Sequence, residues 1–404
     1  MADEVKKPKK SSKLLKWLVV SNILSVAASA VTVLSWVGLR PAPLVETRIY
    51  AQKAPVEAAA RKVAEAAPPG EHDAKPELAF GWSPPTNDES IAVADRTRTT
   101  HFDDTPAGKA VLDSSDDVFL WRAVRMALNL PPNKYPNVNQ NPVGCCVGCG
   151  WKHGLDVAQA VQITQEGLPN ELRLIAVESI YGGSKIQVGQ GRIRGDGSSG
   201  DWANKAAKQY GMLAMQAYPE ANVDLTTFSP ARARQWGNSG IPKALLDDAA
   251  EHRATNTALV KTIADVDKAL RQGYPIAVCS DVGFEGMRRD AQGFIRRSGT
   301  WGHCMMFCGI RGGERPGVFC MNSWGDQAHT GPSYPEDMPV CGFWIDMNTV
   351  GQMVAQMDSY AIAAVDGFPA RKIHWFIGGQ REDRSVLFGG RFGWRLLMRG
   401  GRAL

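Results

Sequence analysis

The sequence predicts an α+β domain whose helices precede its strands along the chain. Of its 404 residues, 44% are hydrophobic and 22% are charged, which are the proportions of a globular protein. Helix-like segments with glycine or proline stops lie mostly before position 271, whereas short apolar runs separated by glycine-rich turns follow it. Helices and strands segregated in this way are typical of an α+β architecture, and the length suits one large or two modest domains with appendages.

The charge balance and the cysteine count exclude two classes of protein. A net charge of +5 is too small for a nucleic-acid binder, so no nucleic-acid partner is expected and any basic patch has to be local. Eight cysteines are too few for a disulfide-stapled scaffold of this length. The positions of the cysteines are therefore more informative than their number.

The N-terminus has the pattern of a membrane anchor. A lysine-rich stretch, residues 1–16, precedes an uncharged run from Trp17 to Leu39 that spans about 34 Å as a helix, against a hydrocarbon core of about 30 Å. The lysine excess predicts a cytoplasmic N-terminus and an extracytoplasmic remainder. A single-pass anchor is expected; a signal peptide cleaved after the small residues Ala28 and Ala30, and a buried or virion-associated apolar helix, remain open.

Two polar regions flank the globular part. Residues 40–105 are rich in Ala, Pro and charge and are predicted to be a linker; an inhibitory propeptide is an alternative that no local pattern supports. Residues 370–404 carry eight Arg or Lys against Glu382 and Asp383. This tail is predicted to be solvated or to bind a partner, with anionic lipid or polymer as one candidate.

The region 106–369 carries the globular signal. Apolar periodicity with stop residues predicts helices over 118–130, 154–161 (in a segment that begins at Cys146), 202–210 and 264–271. Apolar runs bounded by turn residues predict strands over 276–279, 303–310, 318–321 and 343–347.

A cysteine-rich motif precedes the second of these helices. Cys146 falls where the helix begins, and a cysteine in the first helical turn faces the positive end of the macrodipole, which favours the thiolate. A nucleophilic cysteine also needs a base, and the base needs an orienting group. His303, at the start of a predicted strand, and Asn322, after the next strand, are candidates for these two roles.

These residues and their order resemble a papain-like cysteine peptidase. The family places a glutamine six residues before a cysteine that opens a long helix, then a histidine on a strand, then Asn-Ser-Trp-Gly. Gln140 and Cys146 keep that spacing, Gly144 matches the family's glycine two residues before the nucleophile, and residues 322–325 match letter for letter. The glycine-rich stretch around Ser199 and Gly200 agrees more loosely.

The resemblance implies a two-lobed fold, with a helical lobe, a twisted antiparallel sheet lobe and an active-site groove between them. It implies that Cys146 attacks an amide carbonyl, that His303 transfers the proton, and that Asn322 orients the imidazole. Gln140 and the Cys146 backbone N–H would form the oxyanion hole, with Trp324 shielding the His–Asn hydrogen bond. The implied substrate-binding residues are Ser199, Gly200, Gly302 and Trp324. The implied activity is cofactor-free hydrolysis of peptide or isopeptide bonds in a peptide or protein substrate.

Several departures leave alternatives open. Val147 replaces the family's usual tryptophan after the nucleophile, and Cys149 offers a competing register. No cysteine lies between positions 150 and 278, so the family's disulfide to the glycine-rich stretch cannot form as usual. A non-catalytic structural or interaction protein that reuses the fold is one alternative function. An amidase or transpeptidase acting on cell-wall peptides is another.

A metal site is a further alternative reading of the same cysteines. Cys145, Cys146, Cys149 and His153 stand at spacings that can ligate zinc, although no second Cys-x-x-Cys pair completes the set. The remaining cysteines are most simply core residues. His153 is expected on a helix surface, and His329, which has no motif around it, is expected in solvent.

Overall fold

A computed structural model describes residues 78–84, 99–112, 115–168, 172–254, 256–364, 367–373 and 378–379. The predicted anchor over 17–39 and all but the first part of the predicted tail lie outside these residues. Within the part of the chain that is described, no helix combines the length and the apolar character needed to cross a membrane.

Nine α-helices are formed by the described residues. They are α1 Pro106–Lys109, α2 Trp121–Leu128, α3 Cys146–Glu166, α4 Val177–Gly182, α5 Gly200–Gln209, α6 Pro230–Ser239, α7 Leu246–Ala250, α8 Ile263–Arg271 and α9 Met347–Val354. A π-helical turn, Gly183–Val188, continues α4. Helices α3 to α6 with this turn pack together as the helical part of the molecule.

Eleven strands are assigned in the same residues. They are β1 Thr100–His101, β2 Asp117–Phe119, β3 Ala217–Tyr218, β4 Val223–Asp224, β5 Thr257–Leu259, β6 Ile276–Phe284, β7 Arg297–Arg311, β8 Gly317–Met321, β9 Gly342–Asp346, β10 Tyr360–Ile362 and β11 Gly378–Gly379. The main sheet runs β1-β5-β10-β6-β7-β2-β11, and β8 and β9 extend it from β7. Only the β1–β5 pair is parallel among these strands, and β3–β4 forms a separate hairpin-like pair.

Helix α3 joins the helical part to the sheet. It is buried on every side from Cys146 to Ala158, and the two charged residues of that stretch, Lys152 and Asp156, form a buried ion pair. Glycines allow this close packing: a Cβ on Gly150 would lie 2.8 Å from the Met305 carbonyl oxygen on β7. The helix ends at Gly167, whose φ of +60° is the left-handed conformation that glycine adopts without steric cost.

The prediction of an α+β class is confirmed, with changes at particular boundaries. The predicted helix over 118–130 begins as strand β2, because Val118 pairs with Ile310 on β7, and only Trp121–Leu128 is helical. Strands β1, β2 and β5 precede most of the sheet in sequence and join it in space. Helices and strands are therefore segregated in the structure more than along the chain.

Parts of the predicted linker and tail pack on the domain. Thr100 pairs with Ala258 of β5, although it lies before the predicted domain start at position 106. Gly378 pairs with Val118 of β2, although it lies in the predicted tail. Residues 78–84 also contact the domain, at the site described below.

Candidate active site

Cys146 begins helix α3 and is fully buried. Hydrogen bonds with the backbone of Cys304 and Gly81 lower the pKa of its thiol, but burial, the larger effect, raises that pKa well above the usual value for cysteine. The thiolate expected from the helix position is therefore not favoured in this state, because the loss of hydration outweighs the macrodipole.

His303 and Asn322 are brought together as the sequence motif predicts. His303 lies on β7 opposite Ser280 of β6, and its Nε2 is 2.9 Å from Oδ1 of Asn322. The indole of Trp324 stacks on the imidazole, with ring centroids 4.5 Å apart and planes at 23°. Burial lowers the pKa of His303 to about 4, against the effect of the hydrogen bond that its ring donates to Asn322, which raises the pKa. The imidazole is consequently neutral near pH 7.

The expected hydrogen bond between Cys146 and His303 is absent from the structure. Nδ1 of His303 has no hydrogen-bond partner among the described residues, and the sulfur of Cys146 contacts the backbone of Cys304, the next residue on β7. Since Nε2 is committed to Asn322, Nδ1 is the ring nitrogen left to exchange a proton with the sulfur.

The carboxamide of Gln140 faces a peptide carbonyl. Its Nε2 donates to the carbonyl oxygens of Ala79 (3.1 Å) and Val143 (3.0 Å), and its Oε1 accepts from the Ser323 hydroxyl at 2.6 Å. Nε1 of Trp324 donates to the same Ala79 oxygen at 3.1 Å. Two side-chain donors therefore converge on one carbonyl of the chain's own backbone.

That carbonyl belongs to residues 78–84, here called the groove segment. Gly81 N and Trp82 N both donate to the carbonyl oxygen of Gly302, at 3.0 and 2.9 Å. On the opposite side, Ser198 N donates to Gly81 O at 2.8 Å and Ser83 N donates to Ser198 O at 2.9 Å. The segment is thus held between the residue that precedes His303 and the glycine-rich loop, to which a parallel bridge joins it at Trp82 and Ser198.

The Trp82 side chain ends at a buried acid. Its Nε1 donates to Oδ2 of Asp358 at 2.7 Å, and the same carboxyl accepts from Gly200 N at 2.8 Å and Asp201 N at 2.7 Å. Burial, followed by the nearby Asp201, raises the pKa of Asp358 to about 8. This carboxyl is therefore largely protonated at pH 7.

Of the four predicted substrate-binding residues, only Gly302 and Trp324 contact the groove segment through hydrogen bonds. Ser199 instead caps helix α5, with its Oγ accepting from Trp202 N, and Gly200 N is bonded to Asp358. Helix α5 begins at Gly200 with Ser199 as its N-cap, and the residue that pairs with the groove segment is Ser198. The assignment of Ser199 and Gly200 to substrate binding stays a prediction.

The geometry supports neither Cys149 as the nucleophile nor a metal site at these cysteines. Cys149 packs in a cluster with Cys145, their sulfurs 4.0 Å apart, whereas Cys146 packs with Trp82 and Cys304. The only group of described side chains with metal-binding spacing is His101, Asp103 and Asp104, which does not include these cysteines.

The expectations for two other histidines are wrong. His153 was expected on a helix surface and His329 in solvent, and both are buried. His153 lies under the ring of Tyr135 because helix α3 is buried on all sides.

Sequence reasoning missed Asp358 and His329, which have no motif of their own, and it placed Ser198 in the glycine-rich stretch without naming it as a site residue. It also missed the groove segment, although a signal was present. Residues 78–82 read Leu-Ala-Phe-Gly-Trp, an apolar run with two aromatic residues inside a region that is otherwise polar.

The solved structures to which this chain is similar are those of cysteine proteases. Xylellain from Xylella fastidiosa aligns over 73% of this chain and 100% of its own, with 16% identity and a TM-score of 0.46. Digestive procathepsin L 3 from Tenebrio molitor larvae aligns over 80% and 94%, with 15% identity and a TM-score of 0.39. The proform of the ragweed pollen allergen Amb a 11 aligns over 77% and 88%, with 13% identity and a TM-score of 0.42. No protein-family profile and no curated protein matches the chain.

Proposed function

We propose that this protein is a cysteine peptidase that hydrolyses peptide or isopeptide bonds through a thioester on Cys146. In this proposal His303 is the general base and acid, and Asn322 orients it. The oxyanion is stabilised by Nε2 of Gln140 and the backbone N–H of Cys146, which lies at the positive end of helix α3.

One observation carries the proposal: the groove binds an extended peptide backbone beside the proposed nucleophile. The backbone N–H groups of Gly81 and Trp82 are held by Gly302, and the Ala79 carbonyl receives a hydrogen bond from Gln140. A substrate strand in the same groove would present carbonyl groups to the donors that this strand already uses. Productive alignment of this kind converts a bimolecular reaction into an effectively unimolecular one.

The reaction follows from the atoms present. His303 Nδ1 takes the proton of the Cys146 thiol, the sulfur attacks the scissile carbonyl carbon, and negative charge develops on the carbonyl oxygen near Gln140. The imidazolium then donates its proton to the leaving amine. Water, deprotonated by the same imidazole, attacks the thioester, and breakage of the C–S bond releases the acid and restores the thiol.

The groove segment opposes this reaction in the chain as described. It occupies the groove, its Gly81 backbone contacts the Cys146 sulfur, and Phe80 lies 5.9 Å from the ring of His303. The same burial that raises the pKa of the thiol lowers that of the imidazole, and both changes disfavour the ion pair. We infer that the full chain is less active than a chain whose groove is open.

Labelling with iodoacetamide of a shortened chain that begins at Thr99 and lacks the groove segment, followed by mapping of the modified cysteine, tests the proposal together with cleavage of a fluorogenic peptide library. We expect Cys146→Ala to abolish both cleavage and the fast labelling. Cys149→Ala is the matched control, since it removes a buried thiol from the same helix and should leave cleavage intact. Equal, slow labelling of all cysteines with no cleavage would support a non-catalytic protein, and product transfer to an added amine would support a transpeptidase.

A further inference from the structure

His329 lies directly behind the proposed catalytic asparagine. Its Nε2 is 3.2 Å from Nδ2 of Asn322, and the residue is only 4% exposed. The ring packs on Phe343, with centroids 4.9 Å apart. His303, Asn322 and His329 therefore form a continuous buried chain of hydrogen-bonding groups.

The two ends of the Asn322 carboxamide differ, and only one orientation suits the imidazole. Oδ1 accepts hydrogen bonds, so it can receive the Nε2–H of His303 and the backbone N–H of Ser323, which is 2.7 Å away. Nδ2 can only donate, and in a buried site it needs an acceptor. Rotation of the carboxamide by 180° would place the N–H groups of Nδ2 against the Nε2–H of His303 and the backbone N–H of Ser323.

A neutral histidine provides the required acceptor. Burial, together with the charges of Arg289 and of a protonated His303, lowers the pKa of His329 to about 3, against contact with the Met287 backbone, which raises the pKa. His329 is therefore neutral at pH 7. In the tautomer with the proton on Nδ1, the Nε2 lone pair faces Asn322.

We propose that His329 is a positioning residue that accepts a hydrogen bond from Nδ2 of Asn322 and thereby fixes Oδ1 towards His303. This inference rests on the proposed function for its effect on catalysis, but the hydrogen bond itself does not depend on turnover. In this proposal His329 does not contact the substrate.

A double-mutant cycle tests the catalytic effect. His329→Phe keeps an aromatic ring beside Phe343 and removes the acceptor, so kcat should fall about tenfold with KM unchanged, as expected for one hydrogen bond. In an Asn322→Ala background the same change should have almost no further effect, because the residue acts through Asn322. An equal loss in both backgrounds would mean a general structural role and would overturn the proposal.

The pH profile and a conservative variant supply readouts that packing alone would not change. Loss of the oriented oxygen should lower the pKa of the His303 imidazolium, which must lose its proton before the ring can act as a base, so the acidic limb of kcat/KM should move to lower pH in His329→Phe. His329→Gln, whose Oε1 can replace the ring nitrogen as acceptor, should restore both the rate and the limb. Failure of this variant to restore either, while its melting temperature equals that of the unmodified chain, would count against the proposal.

Nitrogen-15 NMR of the histidine rings in the full chain tests whether His329 accepts the hydrogen bond from Asn322. This measurement does not require catalytic activity. We expect a neutral His329 with its proton on Nδ1 between pH 5 and pH 8, assigned by the loss of its signals in His329→Phe. A proton on Nε2 would make His329 a donor and overturn the proposal. If the chain cleaves no peptide but this tautomer is found, the proposed function fails and the positioning contact stands.

Discussion

At the scale of single residues, the side chain of Gln140 connects sequence to chemistry most directly. It lies six residues before Cys146, and its backbone N–H donates to Ser323 O at 2.9 Å, which attaches it to the Asn-Ser-Trp-Gly turn. The carboxamide is oriented by the Ser323 hydroxyl, so its N–H groups have a fixed direction before substrate arrives. Donors that are oriented in advance stabilise developing charge without a cost of reorganisation.

Replacement of Gln140 by alanine should lower kcat by a factor of about 10²–10³, the usual cost of losing one oxyanion donor. KM should change less, because the donor acts mainly on the charged intermediate. Steady-state kinetics with a fluorogenic peptide would measure both. Ser323→Ala, which removes only the group that orients the carboxamide, is the control and should have a smaller effect; the reverse order would contradict the assignment.

The raised pKa of Asp358, the buried acid that contacts Trp82, predicts that the stability of the protein depends on pH. Asp358 has a folded-state pKa of about 8, so its contribution to stability is present below the unfolded value near 3.8 and is lost as pH rises towards 8. Asp358→Asn has no such group. Relative to the unmodified chain, this variant should therefore gain about 1.4 kcal/mol of unfolding free energy per pH unit between pH 5 and pH 7. Urea unfolding at these pH values would measure the difference, and a pH-independent difference would contradict the prediction.

At the scale of elements, helix α3 positions the sulfur through its contact with strand β7. The contact depends on Gly150, where a Cβ would lie 2.8 Å from Met305 O and 2.9 Å from Cys304 Sγ. Cys304 follows His303 on the strand, and its sulfur lies 2.8 Å from that of Cys279 on β6. Any displacement of the helix from β7 would therefore also move Cys146 relative to the imidazole.

Gly150→Ala should destabilise the protein by about 2 kcal/mol, because backbone and a buried sulfur must move to admit the new methyl group. Gly154→Ala on the same helix is the matched control. Its Cβ would contact only the flexible end of the Ile362 side chain, at 2.7 Å, and alanine favours the helix. Its unfolding free energy should change by less than about 1 kcal/mol in thermal or urea denaturation. Equal losses in the two variants would show that α3 does not pack as described.

At the scale of the whole molecule, the groove between the helical part and the sheet is closed by the chain itself. The groove segment contacts Ser198 from the helical part and Gly302 from the sheet, and Trp82 reaches Asp358 just before β10. These contacts join elements that lie far apart in the sequence. The closed groove explains the burial of Cys146 and His303 and the directions in which their pKa values move.

A peptide with the sequence of Leu78–Pro84 should inhibit a shortened chain that begins at Thr99. Inhibition should be competitive with a fluorogenic substrate, because both occupy the same groove. The same peptide with Trp82→Ala should bind at least about tenfold more weakly, since it loses a buried indole and its hydrogen bond to Asp358. Inhibition constants from steady-state kinetics would show this. Equal constants for the two peptides, or non-competitive inhibition, would contradict the placement of Trp82.

The amino-acid sequence by itself determined the α+β class, most of the helices and strands of the domain, and the set Gln140, Cys146, His303 and Asn322 as candidates. Periodicity, stop residues and motif spacing are local properties, so they can be read along the chain. The boundary at Val118 was missed because pairing with Ile310, which lies far away in sequence, overrides a local helical pattern.

Only the tertiary structure decided how the groove is filled and how its groups titrate. Ser198 pairs with the groove segment, whereas Ser199 caps helix α5 and the backbone N–H of Gly200 donates to Asp358. His329 and Asp358 enter the site through contacts with Asn322 and with Trp82, respectively. Burial, hydrogen-bond partners and pKa depend on neighbours that folding brings from distant parts of the chain, and no local pattern encodes them.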